Sequence, residues 1–306
     1  ALGMKLKVLL WLSRLSYAQL HSLSSVLAFL ARRVLKYRLN VIRGNLERSF
    51  PDQTKEWHRK IEKEYYGHFA DITVESIKHF SIDNKLAMSR MRHVNVEVFE
   101  PFFESGRSVL IAGGHLNNWE LYAVTANQNV PHDVMAVYKK LSDPVMDEAV
   151  RASRQRFGLE MVRTVDAQSW MKKHALGDSP KAVVMGFDQS PANPKKAWWT
   201  QFLNQETAWY YGLEKWAHQY DLPVIYGHIY KDSRGQYTTR YELVCDDPAK
   251  LESGVVLNRC VTLLEQDIRN HPGHWLWSHK RWKHSRPDGV VIQDRVDASS
   301  NMMADV

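Results

Sequence analysis

The chain has 306 residues, of which 44% are hydrophobic, and it carries a formal net charge of +7 with a pI near 9.2. A chain of this length and hydrophobic content can bury a substantial core, which excludes an intrinsically disordered protein. The basic balance indicates an anionic partner: a nucleic acid, an anionic membrane, a phosphorylated lipid or an acidic protein. The only cysteines, Cys245 and Cys260, exclude a disulfide framework and favour a reducing compartment.

Residues 6–35 are mostly apolar but are interrupted by Arg14, Gln19 and His21. No stretch within them reaches the roughly 18 uninterrupted apolar residues of a membrane-spanning helix. Apolar residues recur at helical spacing and a basic cluster follows at once, which favours a helix lying on an anionic membrane surface. A helix packed on its own domain explains the pattern nearly as well, whereas the broken apolar region disfavours a signal peptide. The apolar face comprises Leu9, Leu12, Leu20, Leu23, Leu27, Leu30 and Val34, and the basic cluster comprises Arg32, Arg33, Lys36, Arg38 and Arg43.

After Pro51 and a helical region at 55–80, short apolar runs alternate with helix-like stretches. This alternation predicts an α/β fold with a central, largely parallel or mixed sheet flanked by helices. The predicted strands are residues 107–112, 133–138, 159–163, 181–187, 223–230 and 237–245. The predicted helices are residues 117–126, 143–157, 166–176, 207–220 and 254–270. We expect three parts: a membrane-associating helical segment at 4–50, an α/β domain at 51–290 and a flexible tail at 291–306.

The stretch "LIAGGHLNNWELYAV" at 110–124 places His115 five residues before Glu120, just after a predicted strand and two glycines. Catalytic groups collect at the carboxyl ends of strands in open α/β sheets. A carboxylate on one imidazole nitrogen would leave the other free to accept a proton from a hydroxyl group. Alternatively, Asn117 caps the following helix and Glu120 completes a capping box. The residues alone leave these two interpretations about even.

Four other stretches occur in a fixed order around this motif. They are "YRLNVIRGNLERSFPD" (37–52), "VYKKLSDPVMDEAVRASRQRFG" (137–158), "GFDQSP" (186–191) and "LEQDIRNHPGHWLWSHKRWKHSRP" (264–287). Together with the HxxxxE motif they resemble the lipid A biosynthesis acyltransferase family, the late lauroyl and myristoyl transferases within the lysophospholipid acyltransferase superfamily. The resemblance spans about residues 37–287. It departs from the family at Lys139 and Lys140, where the family often has Arg-Pro after the tyrosine.

The resemblance implies that His115 and Glu120 form a catalytic dyad and that other side chains bind substrate. Arg154, and after it Arg156, would bind a phosphorylated acceptor or the phosphopantetheine of the donor, although a solvated basic face is the usual role of such a run. Asp188 and Gln189 would line the same cleft as His115, which we favour over a role of Asp188 in beginning a turn with Ser190 and Pro191. The remaining expected substrate contacts are Asn118, Lys139, Trp198 and Trp199.

Two aromatic and basic stretches have competing interpretations. Trp198 and Trp199 suit the rim of an acyl-chain groove, although tryptophan pairs more often pack in a core or an interface. The four histidines of the last block match no compact metal-ligand spacing, so we interpret that block as a basic, aromatic surface and expect no metal. These histidines are His271, His274, His279 and His284.

The expected reaction is direct transfer of a fatty acyl chain from an acyl thioester to a hydroxyl group of a membrane lipid, in the first place a lipid A precursor. No serine or cysteine stands in a nucleophile-elbow pattern beside His115, so no acyl-enzyme is expected. The donor would be acyl carrier protein or, second, acyl-CoA, with no further cofactor. We expect a peripheral or monotopic protein on the cytoplasmic face of the bacterial inner membrane. The alternatives are a lysophospholipid or amino-acid-based lipid as acceptor, hydrolysis, or a non-catalytic membrane- or nucleic-acid-binding protein; no nucleic-acid motif supports the last.

Overall fold

The computed structural model describes residues 3–177 and 179–295. Its helices are α1 (Met4–Ser13), α2 (Tyr17–Phe29), α3 (Leu39–Ser49), α4 (Lys55–Lys78), α5 (Asn84–Arg90), α6 (Glu100–Glu104), α7 (Trp119–Thr125), α8 (Pro144–Gln155), α9 (Ala167–His174), α10 (Gly212–Tyr220) and α11 (Val255–Asn270). Its strands are β1 (Met91–Val94), β2 (Val109–Gly113), β3 (Asp133–Tyr138), β4 (Glu160–Arg163), β5 (Lys181–Gly186), β6 (Trp198–Phe202), β7 (Gln205–Trp209), β8 (Val224–Ser233) and β9 (Gln236–Cys245).

Seven strands form one sheet in the order β1-β9-β8-β2-β5-β3-β4. Every neighbouring pair is parallel except β8 and β9, which form an antiparallel hairpin. This confirms the predicted α/β class with a mostly parallel sheet, and each predicted strand corresponds to an observed one within a few residues. The two central neighbours, β2 and β5, are the strands that precede the HxxxxE and DQ motifs.

The sheet has a hydrophobic core on each face, because the side chains of a strand alternate between its two sides. In β2, Leu110 and Ala112 belong to the core that packs on α9, α10 and α11. Val109 and Ile111 belong to the core that packs on α5 and α7. Burial on both faces explains why the central strands are continuous apolar runs.

The N-terminal segment forms two helices instead of the one predicted. Ser16 interrupts it, because its hydroxyl accepts from the Gln19 amide while the Gln19 side chain accepts from the Ser16 amide, a complete capping box. Leu20 and Ser24 of α2 are buried against α4, so the helix packs on its own domain along one face. The outward side is mixed, because exposed apolar side chains stand there beside polar and basic ones. The exposed large apolar residues are Met4, Val8, Trp11, Val26, Phe29, Leu30, Val34, Leu35 and Tyr37.

None of the helices in the described part of the chain combines the length and apolar content needed to cross a membrane. The segment Leu30–Val34 continues α2 as a π-helical turn and leads into the basic residues.

Strands β1, β6 and β7 were not predicted, and the prediction of a helix over 207–220 is wrong in its first part. β6 and β7 form an antiparallel hairpin whose turn residues, Leu203 and Asn204, both have positive φ angles. Helix α10 starts only at Gly212. The hairpin is rich in tryptophan and threonine, which favour pleated, half-buried strands over helix.

The last of the four stretches quoted above, residues 264–287, is bonded to α3. The Asn45 amide donates to the carbonyl groups of Trp277 and His279, and Arg38 donates to that of Ser278. The Gln293 backbone amide then donates to the carbonyl group of Trp199, in a parallel bridge with Thr200 of β6. Residues 296–306 of the predicted tail lie outside the described residues, and the division into three parts stays a prediction.

Candidate active site

The candidate site forms where the two central strands end. β2 and β5 pair in parallel with Gly113 opposite Gly186, and His115 and Asp188 each follow two residues later. Because parallel strands end at the same edge of a sheet, this equal offset brings the two side chains together. A Cβ atom at Gly186 would lie 3.1 Å from Cε1 of His115, so the glycine leaves the space that the imidazole uses.

Asp188 holds His115 through two hydrogen bonds. The His115 backbone amide donates to Oδ2 at 2.7 Å, and its Nδ1 lies 2.6 Å from Oδ1. The indole Nε1 of Trp275 donates to Oδ2 at 2.8 Å. Asp188 is almost fully buried at 2% exposure, whereas the His115 side chain is 23% exposed. The buried carboxylate therefore holds the ring through Nδ1, and Nε2 makes no contact with Asp188.

His115 and Asp188 each shift the pKa of the other. Burial alone would raise the pKa of Asp188, but the charge of His115 and the hydrogen bonds from His115 and Trp275 outweigh burial and lower the pKa to about 2. Burial alone would lower the pKa of His115, but the Asp188 carboxylate, with a smaller contribution from Glu120, raises that pKa above its ordinary value. Since an ionised carboxylate only accepts hydrogen bonds, Nδ1 carries the proton and donates to Asp188.

Two further side chains contact the imidazole of His115. The amide Nε2 of Gln189 lies 3.1 Å from Nε2 of His115, and the Trp119 ring contacts the imidazole edge-on at 5.2 Å between centroids. With its proton on Nδ1, the ring accepts from Gln189 at Nε2. The sequence prediction that Asp188 and Gln189 line the same cleft as His115 agrees with this geometry.

Glu120 has a different partner from the one expected. Its Oε2 pairs with Nη2 of Arg154, and its Oε1 accepts from Nε1 of Trp119 at 3.2 Å. The carboxylate that contacts His115 is Asp188, because Glu120 lies in the first turn of α7 and reaches α8 instead. Glu120 is near enough to act on His115 through its charge alone.

The capping alternative for Glu120 is also wrong, because the helix starts one residue later than expected. Asn118 is the cap: its Oδ1 accepts from the Leu121 amide at 2.8 Å. Asn117 has a positive φ angle and donates to the carbonyl group of Ile229. Glu120 is thus the second helical residue, one position short of a capping box.

Asn118 itself was expected to contact substrate, and the structure corrects this. The residue is fully buried, and its Nδ2 donates to Glu75 at 2.7 Å while its Oδ1 caps α7. Both ends of the amide are therefore used inside the protein.

Arg154, in α8, and Arg156, just after it, have different partners. Arg154 reaches Glu120 beside His115, whereas Arg156 donates to the carbonyl groups of His79 and Ile82 at the end of α4. These contacts give Arg156 a structural role and leave Arg154 as the arginine of the site. Lys139 is exposed after β3.

The expected acyl-chain rim at Trp198 and Trp199 has the contacts of a packed core. Trp199 is 1% exposed, and its Nε1 donates to the carbonyl group of Pro194. Trp198 stacks on Tyr211 and donates to Asn258. The packing alternative therefore describes both residues.

The last block is not the aromatic surface that we predicted. Trp275, Trp277 and Arg281 are each at most 2% exposed, and Trp275 is the residue that holds Asp188. The contact of Trp275 with Asp188 was not predicted, because spacing alone does not show which indole faces the DQ motif.

The four histidines of this block have ordinary partners. His271 and His274 stack on each other, while His279 and His284 contact the backbone at Ser190 and Pro191. Within residues 3–177 and 179–295, no three His, Cys, Asp or Glu side chains are grouped so as to hold a metal ion.

An open cavity of about 360 Å³ lies between α8 and the ends of β3 and β4. Arg151, which lines it, precedes Arg154 by one helical turn. The cavity therefore borders the helix that carries Arg154. Its lining residues are Tyr138, Lys140, Asp147, Arg151, Met161, Val162, Arg163 and Asp166.

Comparison with known sequences shows which family the chain belongs to. No curated protein matches the chain. A sequence profile described as bacterial lipid A biosynthesis acyltransferase matches residues 4–284, which is nearly the whole chain and includes every residue of the site. The protein therefore belongs to the bacterial lipid A biosynthesis acyltransferase family and is an acyltransferase.

Proposed function

We propose that the protein transfers a fatty acyl chain from an acyl thioester to a hydroxyl group of a lipid A precursor, with His115 as general base. The observation that carries the proposal is the contact between Asp188 and Nδ1 of His115 at the carboxyl edge of the sheet. A buried carboxylate on one ring nitrogen leaves a basic nitrogen on the other, which is what deprotonation of a hydroxyl group requires.

The reaction passes through one tetrahedral intermediate, which forms when the acceptor oxygen attacks and collapses when the thiol leaves. Nε2 of His115 takes the proton of the acceptor hydroxyl as its oxygen attacks the thioester carbonyl carbon. The tetrahedral intermediate collapses as the carbon–sulfur bond breaks, and His115 returns the proton to the sulfur. The products are an ester and a free thiol, and Asp188 stays ionised while it stabilises the imidazolium between the two transfers.

Gln189 occupies the position from which the acceptor hydroxyl would approach, because its amide is bonded to Nε2 of His115. The hydroxyl group would displace that amide, which then remains close enough to bind the acceptor. Gln189 is thus proposed as an acceptor contact.

Glu120 and Arg154 act together beside the base. The ion pair holds the guanidinium group near His115, where it can donate to the thioester oxyanion or to a phosphate group of a substrate. One donor aimed at a developing oxyanion contributes about 3 kcal/mol to the transition state. Glu120 is therefore proposed to orient Arg154 and, through its charge, to raise the basicity of His115.

The charge of the chain suits both proposed partners. Acyl carrier proteins are acidic and lipid A precursors carry phosphate groups, whereas this chain has a net charge of +7. The cavity beside α8, with Lys140 and Arg151 in its lining, is proposed to receive part of the donor. Acyl carrier protein is the preferred donor and acyl-CoA the alternative; no further cofactor takes part.

We also propose that the protein binds the cytoplasmic face of the bacterial inner membrane through its N-terminal helices. Phe29, Val34 and Leu35 are 61%, 61% and 73% exposed, and Arg33 and Lys36 stand among them. Exposed apolar side chains beside cations favour burial in the headgroup region of an anionic bilayer. The inner face of α2 is already used in packing, so the attachment would be peripheral.

The purified protein should transfer a labelled acyl chain from acyl carrier protein to a lipid A precursor. His115→Ala should lower the rate about a thousand-fold, because the general base is removed. His174→Ala, at the end of α9, serves as the matched control and should keep the wild-type rate. A panel with acyl-CoA as donor and lysophospholipids as acceptors identifies the substrates. Full activity of His115→Ala, or acylation of a lysophospholipid and not of the lipid A precursor, would contradict the proposal.

The pH dependence of kcat/KM should distinguish Asp188 from Glu120 as the partner of His115. The neutral imidazole is the active form, so activity should rise with pH through a pKa above the ordinary value of 6.5. Asp188→Asn removes the larger opposing charge, so burial should move that pKa below 6.5, with a rate about a hundred-fold lower or more. Glu120→Gln should move the pKa downward by less. A larger shift in Glu120→Gln than in Asp188→Asn would sink this assignment.

Membrane attachment can be measured by flotation with phosphatidylglycerol or phosphatidylcholine vesicles. Leu35→Ser should weaken partitioning about ten-fold, because the burial of one leucine side chain is lost. Leu176→Ser is the matched control, since Leu176 is 78% exposed but lies at the end of α9. Binding should be stronger to the anionic vesicles. Equal effects of the two substitutions, or no binding by the wild-type protein, would rule out this surface.

A further inference from the structure

Glu75 joins three elements of the fold at one buried carboxylate. It lies near the end of α4 and is 1% exposed. Its Oε1 lies 2.8 Å from Nε2 of His21 in α2. Its Oε2 accepts from Nδ2 of Asn118 at 2.7 Å and from the hydroxyl group of Tyr237 in β9 at 2.9 Å. A carboxylate buried this deeply is stabilised only if such donors surround it.

The hydrogen bond between Glu75 and Asn118 fixes which end of the Asn118 amide faces α7. With Nδ2 turned to Glu75, Oδ1 is turned to the Leu121 amide and caps α7. The first two residues of α7 are Trp119, which contacts the His115 ring, and Glu120, which pairs with Arg154. The start of α7 thus carries two side chains of the site, and Glu75 is bonded to the residue that caps it.

The other end of the connection is α2, in which Val26 and Phe29 are exposed. α2 is held on α4 by two carboxylates one turn apart: Glu75 contacts His21, and Asp71 accepts from Ser24. Arg234, in the turn between β8 and β9, also pairs with Asp71. Of the two carboxylates, Glu75 is the one that also reaches α7.

We propose that Glu75 is a positioning residue for acyl transfer, which orients the Asn118 cap and thereby joins the N-terminal helix α2 to the start of the active-site helix α7. This inference rests on the proposed function of His115. A shift of about 1 Å in groups around a reacting centre can lower a rate about a hundred-fold, so the hydrogen bonds of Glu75 matter although it touches no substrate.

A pair of complementary substitutions tests this connection without removing the helix cap. Asn118→Asp keeps an oxygen for the Leu121 amide, and aspartate caps helices as well as asparagine does. It replaces the donor facing Glu75 by a second carboxylate oxygen, so the start of α7 should move and kcat should fall about ten- to a hundred-fold. Adding Glu75→Gln supplies the missing donor from the other side and should restore kcat to within a few-fold of wild type.

The pH dependence gives a readout that general destabilisation would not produce. In Asn118→Asp the two facing carboxyl groups can share a proton, so the loss of activity should be smallest at low pH and should deepen as pH rises. The wild-type protein and the double variant lack this second carboxyl group and should not show the deepening. Ser24→Ala removes the contact of α2 with Asp71 and leaves Glu75 in place, so it should stay within about two-fold of wild type in kcat.

Hydrogen exchange at the Leu121 amide separates failure of this inference from failure of the proposed function. The amide should exchange faster in Asn118→Asp and regain protection in the double variant, whether or not acyl transfer is detected. An inactive wild-type protein with this exchange pattern would count against the proposed function but would uphold the control of α7 by Glu75. Unchanged exchange and activity in Asn118→Asp, or a folded double variant that regains neither, would overturn the inference.

Discussion

The buried carboxylate of Asp188 is the constraint on which the candidate site depends. Two strands that pair in register, Gly113 opposite Gly186, end so that a histidine and an aspartate meet two residues later. Asp188 receives the backbone amide and Nδ1 of His115 and the indole of Trp275. Because burial alone would favour a neutral carboxyl group, these donors are what keep it ionised, and its charge in turn raises the basicity of the imidazole.

The C-terminal block and the N-terminal helix α2 both connect to residues of this site. The C-terminal block supplies Trp275, and α3 holds that block in place through Asn45 and Arg38. The N-terminal helix α2 reaches the site helix through Glu75. Side chains from segments that precede and follow the alternating strands and helices therefore contact residues of the candidate site.

The sequence predicted the sheet and the position of His115 at its carboxyl edge, but it did not predict which carboxylate contacts His115. Strand ends and the HxxxxE motif point to His115, because catalytic groups collect at that edge. The resemblance to the family implied Glu120 as its partner, whereas Asp188, 73 residues further on, contacts it. That contact follows from the neighbouring positions of β2 and β5, and no local pattern shows strand order. The tryptophans of β6 and of the last block were misjudged for a related reason: an indole suits a membrane rim and a buried core equally well, and only packing decides between them.

The most direct test of the central claim is an NMR measurement of the His115 ring in protein labelled with ¹⁵N-histidine, with His115→Gln used to assign the signal. If Asp188 is ionised and holds Nδ1, the neutral ring should carry its proton on Nδ1, and the ring should titrate above 6.5. In Asp188→Asn the same signal should titrate at a lower pH. A neutral ring protonated on Nε2, or a titration at or below 6.5 in the wild-type protein, would contradict the account.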